Sequence, residues 1–220
     1  MTLDRRRALS LLGAGAVVPA AGQAAACVSP VRFLHGVASG DPLRDRVILW
    51  TRLSYEVQPN HPVTVEWQVS ETDDFARPLR RGRVATDALR DFTVKVDATG
   101  LRPGREYRYR FLVAGEASPV GRTRTLPGDD ARDVVLAVAS CSLHSNGFFN
   151  AYRAIADLPR VDAVVHLGDY IYEYGAQPTD YGMQNGLKLN RIPEPPRETV
   201  TLADYRTRHA QYKADPDLQA

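Results

Sequence analysis

The chain has little of several features that would narrow its class. Its 220 residues include two cysteines, so a network of disulfides cannot organise it. Basic and acidic residues nearly balance, at 28 Lys and Arg against 26 Asp and Glu, which gives no electrostatic basis for binding nucleic acid. Its apolar runs are too short or too interrupted to span a membrane. These absences favour an ordinary globular protein, in line with a hydrophobic content of 44%.

The small positive charge comes from the N-terminus. Arg5–Arg7 precede an apolar stretch over residues 11–21 and a run of alanines that ends at Ala26. This order of charged region, apolar core and small residues is typical of an export signal, and consecutive arginines resemble its twin-arginine type. We therefore predict a signal peptide over residues 1–26, use of the twin-arginine export machinery, and a periplasmic, extracellular or cell-surface location.

The two cysteines have more than one possible use. Cys27 directly follows the predicted cleavage point, where a lipid anchor would be attached, although the alanines before it are a weak lipidation signal. In an exported protein Cys27 could instead pair with Cys141. If Cys27 is lipidated, Cys141 is a lone thiol in an oxidising compartment, and a bound metal ion would protect it.

Residues 31–127 have the pattern of an all-β domain. Polarity alternates along residues 63–69 and again along residues 92–96, as in strands that are buried on one face. Trp50 and Trp67 are expected in the core of such a domain. Strands of this length separated by turn residues predict two sheets that pack face to face.

A second pattern within this region indicates which kind of β-sandwich the two face-to-face sheets form. Leu101, Pro103 and Tyr107 have the spacing of a tyrosine corner, in which the phenol bonds back to the backbone near a turn. We therefore predict an immunoglobulin-like sandwich of the fibronectin type III kind over residues 31–127. Such a domain is a scaffold and by itself indicates no activity.

The pattern changes to alternating strand and helix after a polar linker at residues 127–133. Apolar runs at residues 134–139 and 162–166 predict two strands, and Asn146-Gly147 introduces a helix between them. A strand, helix and strand of these lengths form a parallel crossover unit. Because both strands are nearly all apolar, we expect the sheet to be covered on both faces.

The last part of the chain contains a long loop and a helix. Residues 175–200 include four prolines and are predicted to be irregular, and the sequence does not decide whether this loop covers a site as a lid. Thr201 and Asp204 then mark the capped start of a helix that ends at Asp215-Pro216. The residues expected on its packed face are Leu202, Tyr205 and Tyr212.

Side chains able to bind metal follow both predicted parallel strands. Cys141 comes after the first strand, Asp169 after the second, and Tyr172 three residues later. Ligands bind at the carboxyl ends of parallel strands, and a carboxylate there can bridge two cations. Thiolate and phenolate donors favour iron over magnesium, and a second ion held by oxygen atoms could be calcium or another hard cation.

Other interpretations of these residues are open at this stage. A tyrosine-rich turn often serves packing, and a lone Cys141 is often a small buried apolar residue. His144 forms a Cys-x-x-His pair with Cys141 and is a further candidate ligand, whereas His166 is expected to pack or to hydrogen-bond a neighbour.

Four segments, taken in order, resemble the PhoD-like alkaline phosphatase family. They are Phe33–Pro42, Val47–Arg52, Ala139–Cys141 and His166–Gly175. The resemblance implies an N-terminal β-sandwich followed by an α/β calcineurin-like metallophosphoesterase domain that hydrolyses phosphate mono- or diesters. It also implies Fe(3+) and Ca(2+) as cofactors, with Cys141 and Tyr172 as iron ligands and Asp169 as the bridge. It places no ligand at His144.

The chain departs from the family pattern at its end. Residues 202–206 and 215–219 resemble the segment just before the family's next ligand motif, of Trp-Asp-Asp-His-Glu type, but the chain ends at Ala220 without it. We therefore expect residues 133–220 to be a truncated metallophosphoesterase domain and the chain to be an inactive N-terminal fragment, with no catalytic residue assigned. The alternatives are an exported β-sandwich binding or adhesion module with a non-catalytic phosphoesterase remnant, and a dimetal enzyme that uses zinc or manganese.

Overall fold

Two antiparallel sheets fill the first part of the chain in the computed structural model, which describes residues 30–129 and 132–220. The predicted signal peptide and Cys27 lie outside the described residues. The strands are β1 (Val37–Gly40), β2 (Arg46–Arg52), β3 (Val63–Ser70), β4 (Arg80–Thr86), β5 (Thr93–Thr99), β6 (Glu106–Val113), β7 (Glu116–Ala117) and β8 (Gly121–Arg124). One sheet has the order β1-β2-β5, and the other has the order β4-β3-β6-β7 with β8 also paired to β6.

The two sheets share one hydrophobic core. Alternate residues of β2, β5 and β6 are buried, so each strand turns one face inward and the other toward solvent. The first sheet contributes Val47, Leu49 and Val94, and the second contributes Tyr109 and Phe111. Full burial of a side chain of this size stabilises the fold by about 1.5–3 kcal/mol. The predicted face-to-face packing of two sheets is therefore present in the structure.

The tyrosine corner has the expected geometry. The buried phenol of Tyr107 accepts a hydrogen bond of 2.8 Å from the backbone N–H of Arg102. The hydroxyl of Thr125 donates to the carbonyl of Arg102 at 2.7 Å and thereby braces the same turn. The turn before β6 is thus held by side chains from two separate positions.

Only one of the two tryptophans expected in the core packs against it. Trp67 is partly buried against the core, but Trp50 lies on the outer face of β2 because its neighbours Leu49 and Thr51 point inward. The Trp50 ring instead lies 5.4 Å from the ammonium of Lys213. The prediction of a core position for Trp50 was wrong.

The second part of the chain contains the predicted parallel pair. Strands β9 (Leu136–Ala139) and β10 (Ala163–His166) pair in parallel, and helix α1 (Asn150–Ala156) lies between them in sequence. Both strands are shorter than expected. The prediction that the sheet is covered on both faces was wrong for the described residues, since Val138 is 61% exposed and Val164 is 53% exposed. One helix of seven residues cannot cover two faces of a sheet.

The segment 175–200 is less irregular than its prolines suggested. It contains a helix, α2 (Met183–Leu189), whose first residue is fully buried. Between Pro178 and Pro193 there is no proline, which leaves room for two helical turns. The side chain of Asn185 donates a hydrogen bond of 2.8 Å to that of Asn146, so α2 packs beside the turn that follows β9.

The last helix, α3 (Leu202–Lys213), begins at the predicted cap but presents a different face. The side chains of Thr201 and Asp204 form a reciprocal capping box. The buried residues are Asp204, Arg208 and Tyr212, whereas Leu202 is 67% exposed and Tyr205 is also exposed. The predicted packed face was therefore wrong except at Tyr212. No helix in the described part of the chain is long and apolar enough to cross a bilayer.

Removing the Tyr107 hydroxyl should weaken the sandwich without disrupting its packing. We expect Tyr107→Phe to lower the free energy of unfolding by about 1 kcal/mol, because the N–H of Arg102 loses its partner. Denaturant titration measures this loss. Tyr181→Phe, at an exposed tyrosine, is the matched control and should change little. Equal stabilities of the Tyr107 variant and the parent protein would contradict the assignment.

Stability should fall on mild acidification because His35 is buried. Burial and then the nearby Arg52 guanidinium lower the pKa of His35 from 6.5 to about 4. The unfolded chain takes up a proton below about pH 6.5 that the folded chain excludes, so stability decreases as the pH falls. We expect this group to account for a loss of about 2 kcal/mol between pH 7 and pH 5.

Denaturant titrations at these two pH values measure the loss. The difference should shrink in His35→Gln and persist in the control His61→Gln, which changes an exposed histidine. An unchanged pH dependence in His35→Gln would show that another group is responsible.

Candidate metal centre

Strands β9 and β10 end side by side, and the backbone turns sharply after each. Cys141 has φ = +60° and Asp169 has φ = +54°, in the left-handed region, and Gly168 before it has φ = +120°. Residues other than glycine held in such conformations cost about 1–3 kcal/mol and cluster at functional sites. The two turns brace each other, because the N–H of Cys141 donates to the carbonyl of Gly168 at 3.2 Å and the N–H of Ser142 donates to that of Asp169 at 2.9 Å.

These turns bring the three sequence-predicted ligands together. The Sγ atom of Cys141 lies 3.7 Å from Oδ2 of Asp169, and the phenol of Tyr172 donates a hydrogen bond of 3.2 Å to the same oxygen. Cys141 and Asp169 are exposed, and Tyr172 is partly buried. A thiol, a carboxylate and a phenol therefore meet at the exposed edge of the parallel pair. Their role as ligands stays a prediction.

The protonation of Tyr172 follows from this setting. Partial burial, and then its hydrogen bonds to Cys141 and Asp169, raise the pKa of the phenol above its usual range. At neutral pH the phenol is thus a neutral donor to the carboxylate. A cation among the three groups would reverse the preference, because a bound ion favours the deprotonated forms of phenol and thiol.

The donor set fits a hard or borderline cation. Metal–donor bonds of about 2.0–2.3 Å place adjacent donor atoms roughly 3 Å apart. Oδ2 of Asp169 lies at a similar distance from the Cys141 sulfur, 3.7 Å, and from the Tyr172 hydroxyl, 3.2 Å. Within residues 30–129 and 132–220 no group of three or more His, Cys, Asp or Glu side chains is arranged to hold a metal ion. Cys141 and Asp169 are only two members of those types, and the third donor here is Tyr172. The described residues therefore bring together three possible donor atoms at this edge, of which two belong to those residue types.

A hydrogen-bonded cluster lies directly beneath the two turns. Nδ1 of His166 accepts a bond of 3.3 Å from the N–H of Gly168, which assigns the ring proton to Nε2. Nε2 lies 3.1 Å from the hydroxyl of Ser142 and 2.9 Å from that of Tyr152. His166 thus hydrogen-bonds its neighbours as expected, but the contributions of Ser142 and Tyr152 carried no signal in the sequence.

A third residue that sequence reasoning missed is Arg208. Its buried guanidinium donates to the carbonyls of Tyr172 and Tyr174 and to carbonyls within residues 194–197. The only sequence signal was its position four residues after Asp204. The capping role of Asp204 fixes where α3 begins, and residues four apart lie on the same face of a helix. The turn that bears Tyr172 is therefore tied to that helix.

The His144 side chain lies in a cluster of aromatic rings. Its ring packs against Tyr212 and Phe149 at centroid distances of 5.6 and 6.1 Å, and its backbone N–H donates to the phenol of Tyr212 at 2.9 Å. Burial, and then the charge of Arg191, lower the pKa of the His144 ring to about 4. His144 is thus a neutral core residue.

Comparison with known proteins gives consistent matches along the chain. Residues 19–127 match the N-terminal domain of the PhoD-like phosphatases, and residues 136–220 match the PhoD-like phosphatase family itself. The two matched segments divide the chain near the polar linker that separates the sandwich from the parallel pair.

A curated protein and a solved structure show the same relationship. Alkaline phosphatase D of Bacillus subtilis (strain 168) is 42% identical over 195 residues, which cover 86% of this chain and 32% of that protein. The solved structure of PhoD is 40% identical, with a TM-score of 0.76, and the match covers 85% of this chain and 36% of that one. The chain thus spans about a third of the length of these relatives, and it belongs to the PhoD-like phosphatase family.

Proposed function

We propose that this chain forms part of an exported phosphoesterase that hydrolyses phosphate mono- or diesters at a dinuclear iron and calcium site. The observation that carries the proposal is the meeting of Cys141, Asp169 and Tyr172 at the ends of two parallel strands. Similarity to a protein named alkaline phosphatase D supports the reaction class. The proposed export signal belongs to residues 1–26, and no nucleic-acid partner is implied.

Each of the three side chains has a distinct role in the proposed site. Cys141 and Tyr172 would bind the ferric ion as thiolate and phenolate, the donor types that favour iron over magnesium. Both contacts of the Asp169 side chain within the described residues use Oδ2, so Oδ1 is available to a calcium ion. When bound, such a metal pair supplies Lewis-acid stabilisation of the attacking and leaving oxygens.

The two structural regions take separate parts in this proposal. We assign residues 31–127 to a fibronectin type III-like scaffold and residues 133–220 to the first part of a calcineurin-like metallophosphoesterase domain. The exposed faces of β9 and β10, including Leu136 and Val138, support an incomplete sheet in the second region. The three donors proposed among the described residues are also too few to hold two ions.

An iron-bound phenolate should colour the protein. We expect the iron(III)-loaded protein to show a visible charge-transfer band that Tyr172→Phe removes, since only an ionised phenol can donate charge to the metal. Absorption spectra recorded with elemental analysis measure the band per bound iron.

The matched control for this experiment is Tyr174→Phe. Tyr174 stacks on Tyr172 with ring centroids 6.0 Å apart, yet it is not a proposed ligand, so its variant should keep the colour. Iron bound without a band would contradict the assignment of Tyr172. Preferential binding of zinc or manganese would favour the alternative metal pair.

The 220-residue chain alone should not turn over substrate. We expect only background hydrolysis of a chromogenic phosphodiester when iron and calcium are supplied, because the described residues provide a partial coordination shell. Alkaline phosphatase D of Bacillus subtilis, assayed in parallel, is the positive control. Turnover at a comparable rate would disprove that the chain is an inactive fragment.

A further inference from the structure

Arg208 is 2% exposed, and its guanidinium lies between two loops. Within the part of the chain that the structure describes, all its hydrogen bonds go to main-chain carbonyl oxygens. The acceptors are Glu194 at 2.9 Å, Tyr174 at 3.0 Å, Pro195 at 2.9 Å and Arg197 at 3.5 Å, together with Tyr172. One side chain thus joins the turn that bears Tyr172 to the loop before α3.

This arrangement has a physical requirement that few side chains meet. A buried cation loses hydration worth several kcal/mol unless its donors are all satisfied. The five N–H groups of a guanidinium diverge in one plane and can reach carbonyls of two segments, whereas an ammonium presents three N–H groups at a single point. Lysine at position 208 would therefore keep the charge but could not hold both segments.

Helix α3, which carries Arg208, is itself fixed to the sandwich. The guanidinium of Arg206 donates to the carbonyl of Leu89 at 2.7 Å, and Lys213 lies over the ring of Trp50. Beyond the helix, the amide of Gln219 donates to the carbonyl of Leu34 at 2.9 Å. A chain of contacts therefore runs from the first sheet through α3 to the turn at Tyr172.

We infer that Arg208 is a positioning residue that fixes the backbone at Tyr172 so that its phenol points toward Asp169. It bonds to the carbonyl of Tyr172 itself and to that of Tyr174, and so holds the turn on both sides of Glu173. The inference rests on the proposed function in one respect only, which is that the Tyr172 phenol binds iron. The fixing of the turn is independent of any metal ion.

The first test compares Arg208→Lys with Arg206→Lys. Both changes are on α3, but Arg206 donates to a single carbonyl, that of Leu89, which an ammonium can also reach, and it does not contact the Tyr172 turn. In the protein without added metal, we expect amide hydrogen exchange over residues 170–175 to be on the order of tenfold faster in Arg208→Lys, and unchanged in Arg206→Lys. Equal exchange in a folded Arg208→Lys would overturn the inference.

The tyrosinate charge-transfer band is a second readout, and it distinguishes positioning of the phenol from a general structural role of Arg208. In the iron(III)-loaded protein, we expect Arg208→Lys to reduce or shift the tyrosinate charge-transfer band per bound iron, and Arg206→Lys to leave it unchanged. An unaltered band in Arg208→Lys at equal iron content would overturn the positioning role. If the parent protein shows no charge-transfer band, or shows one that Tyr172→Phe does not remove, the proposed iron site is wrong. Hydrogen exchange alone then tests the role of Arg208.

A third measurement needs no variant, in case Arg208→Lys does not fold. In protein labelled with ¹⁵N-arginine, a guanidinium that donates to carbonyls through Nε and both Nη atoms should rotate slowly and give separate Nη resonances. Averaged Nη resonances for Arg208 would show free rotation and would overturn the inference.

Discussion

The parallel register of β9 and β10 determines the geometry of the candidate metal centre. Ala139 lies opposite His166, so the next residues of both strands turn at the same edge of the sheet. Two backbone hydrogen bonds join the turns and hold Cys141 and Asp169 in left-handed conformations. A shift of the register by one residue would separate the thiol from the carboxylate, because successive side chains point to opposite faces.

The sandwich contributes to this geometry from a distance. Trp50 on its outer face, and the carbonyls of Leu34 and Leu89 outside its strands, contact α3 and the residues that follow it. Helix α3 in turn carries Arg208, which contacts the backbone of Tyr172. The sandwich therefore contacts the helix that is hydrogen-bonded to the turn bearing Tyr172.

Local patterns in the sequence predicted the parallel strand pair, the tyrosine corner, the capping box and the proximity of Cys141, Asp169 and Tyr172. These features depend on neighbouring residues or on simple periodicity. Trp50 was predicted wrongly because it was assigned to the core by residue type, and Leu202 because it was placed with Tyr205 and Tyr212 on one packed helix face. Packing turns Trp50 toward an interface and Leu202 toward solvent. Arg208 was missed because its acceptors are backbone carbonyls, which carry no sequence signal.

We propose that Cys141, Asp169 and Tyr172 bind one iron ion together, and X-ray absorption at the iron edge of the iron(III)-loaded protein tests this coordination. We expect one sulfur neighbour beside oxygen neighbours, with the sulfur lost in Cys141→Ser. An iron shell without sulfur in the parent protein, or one that Cys141→Ser leaves unchanged, would show that these residues do not bind the iron.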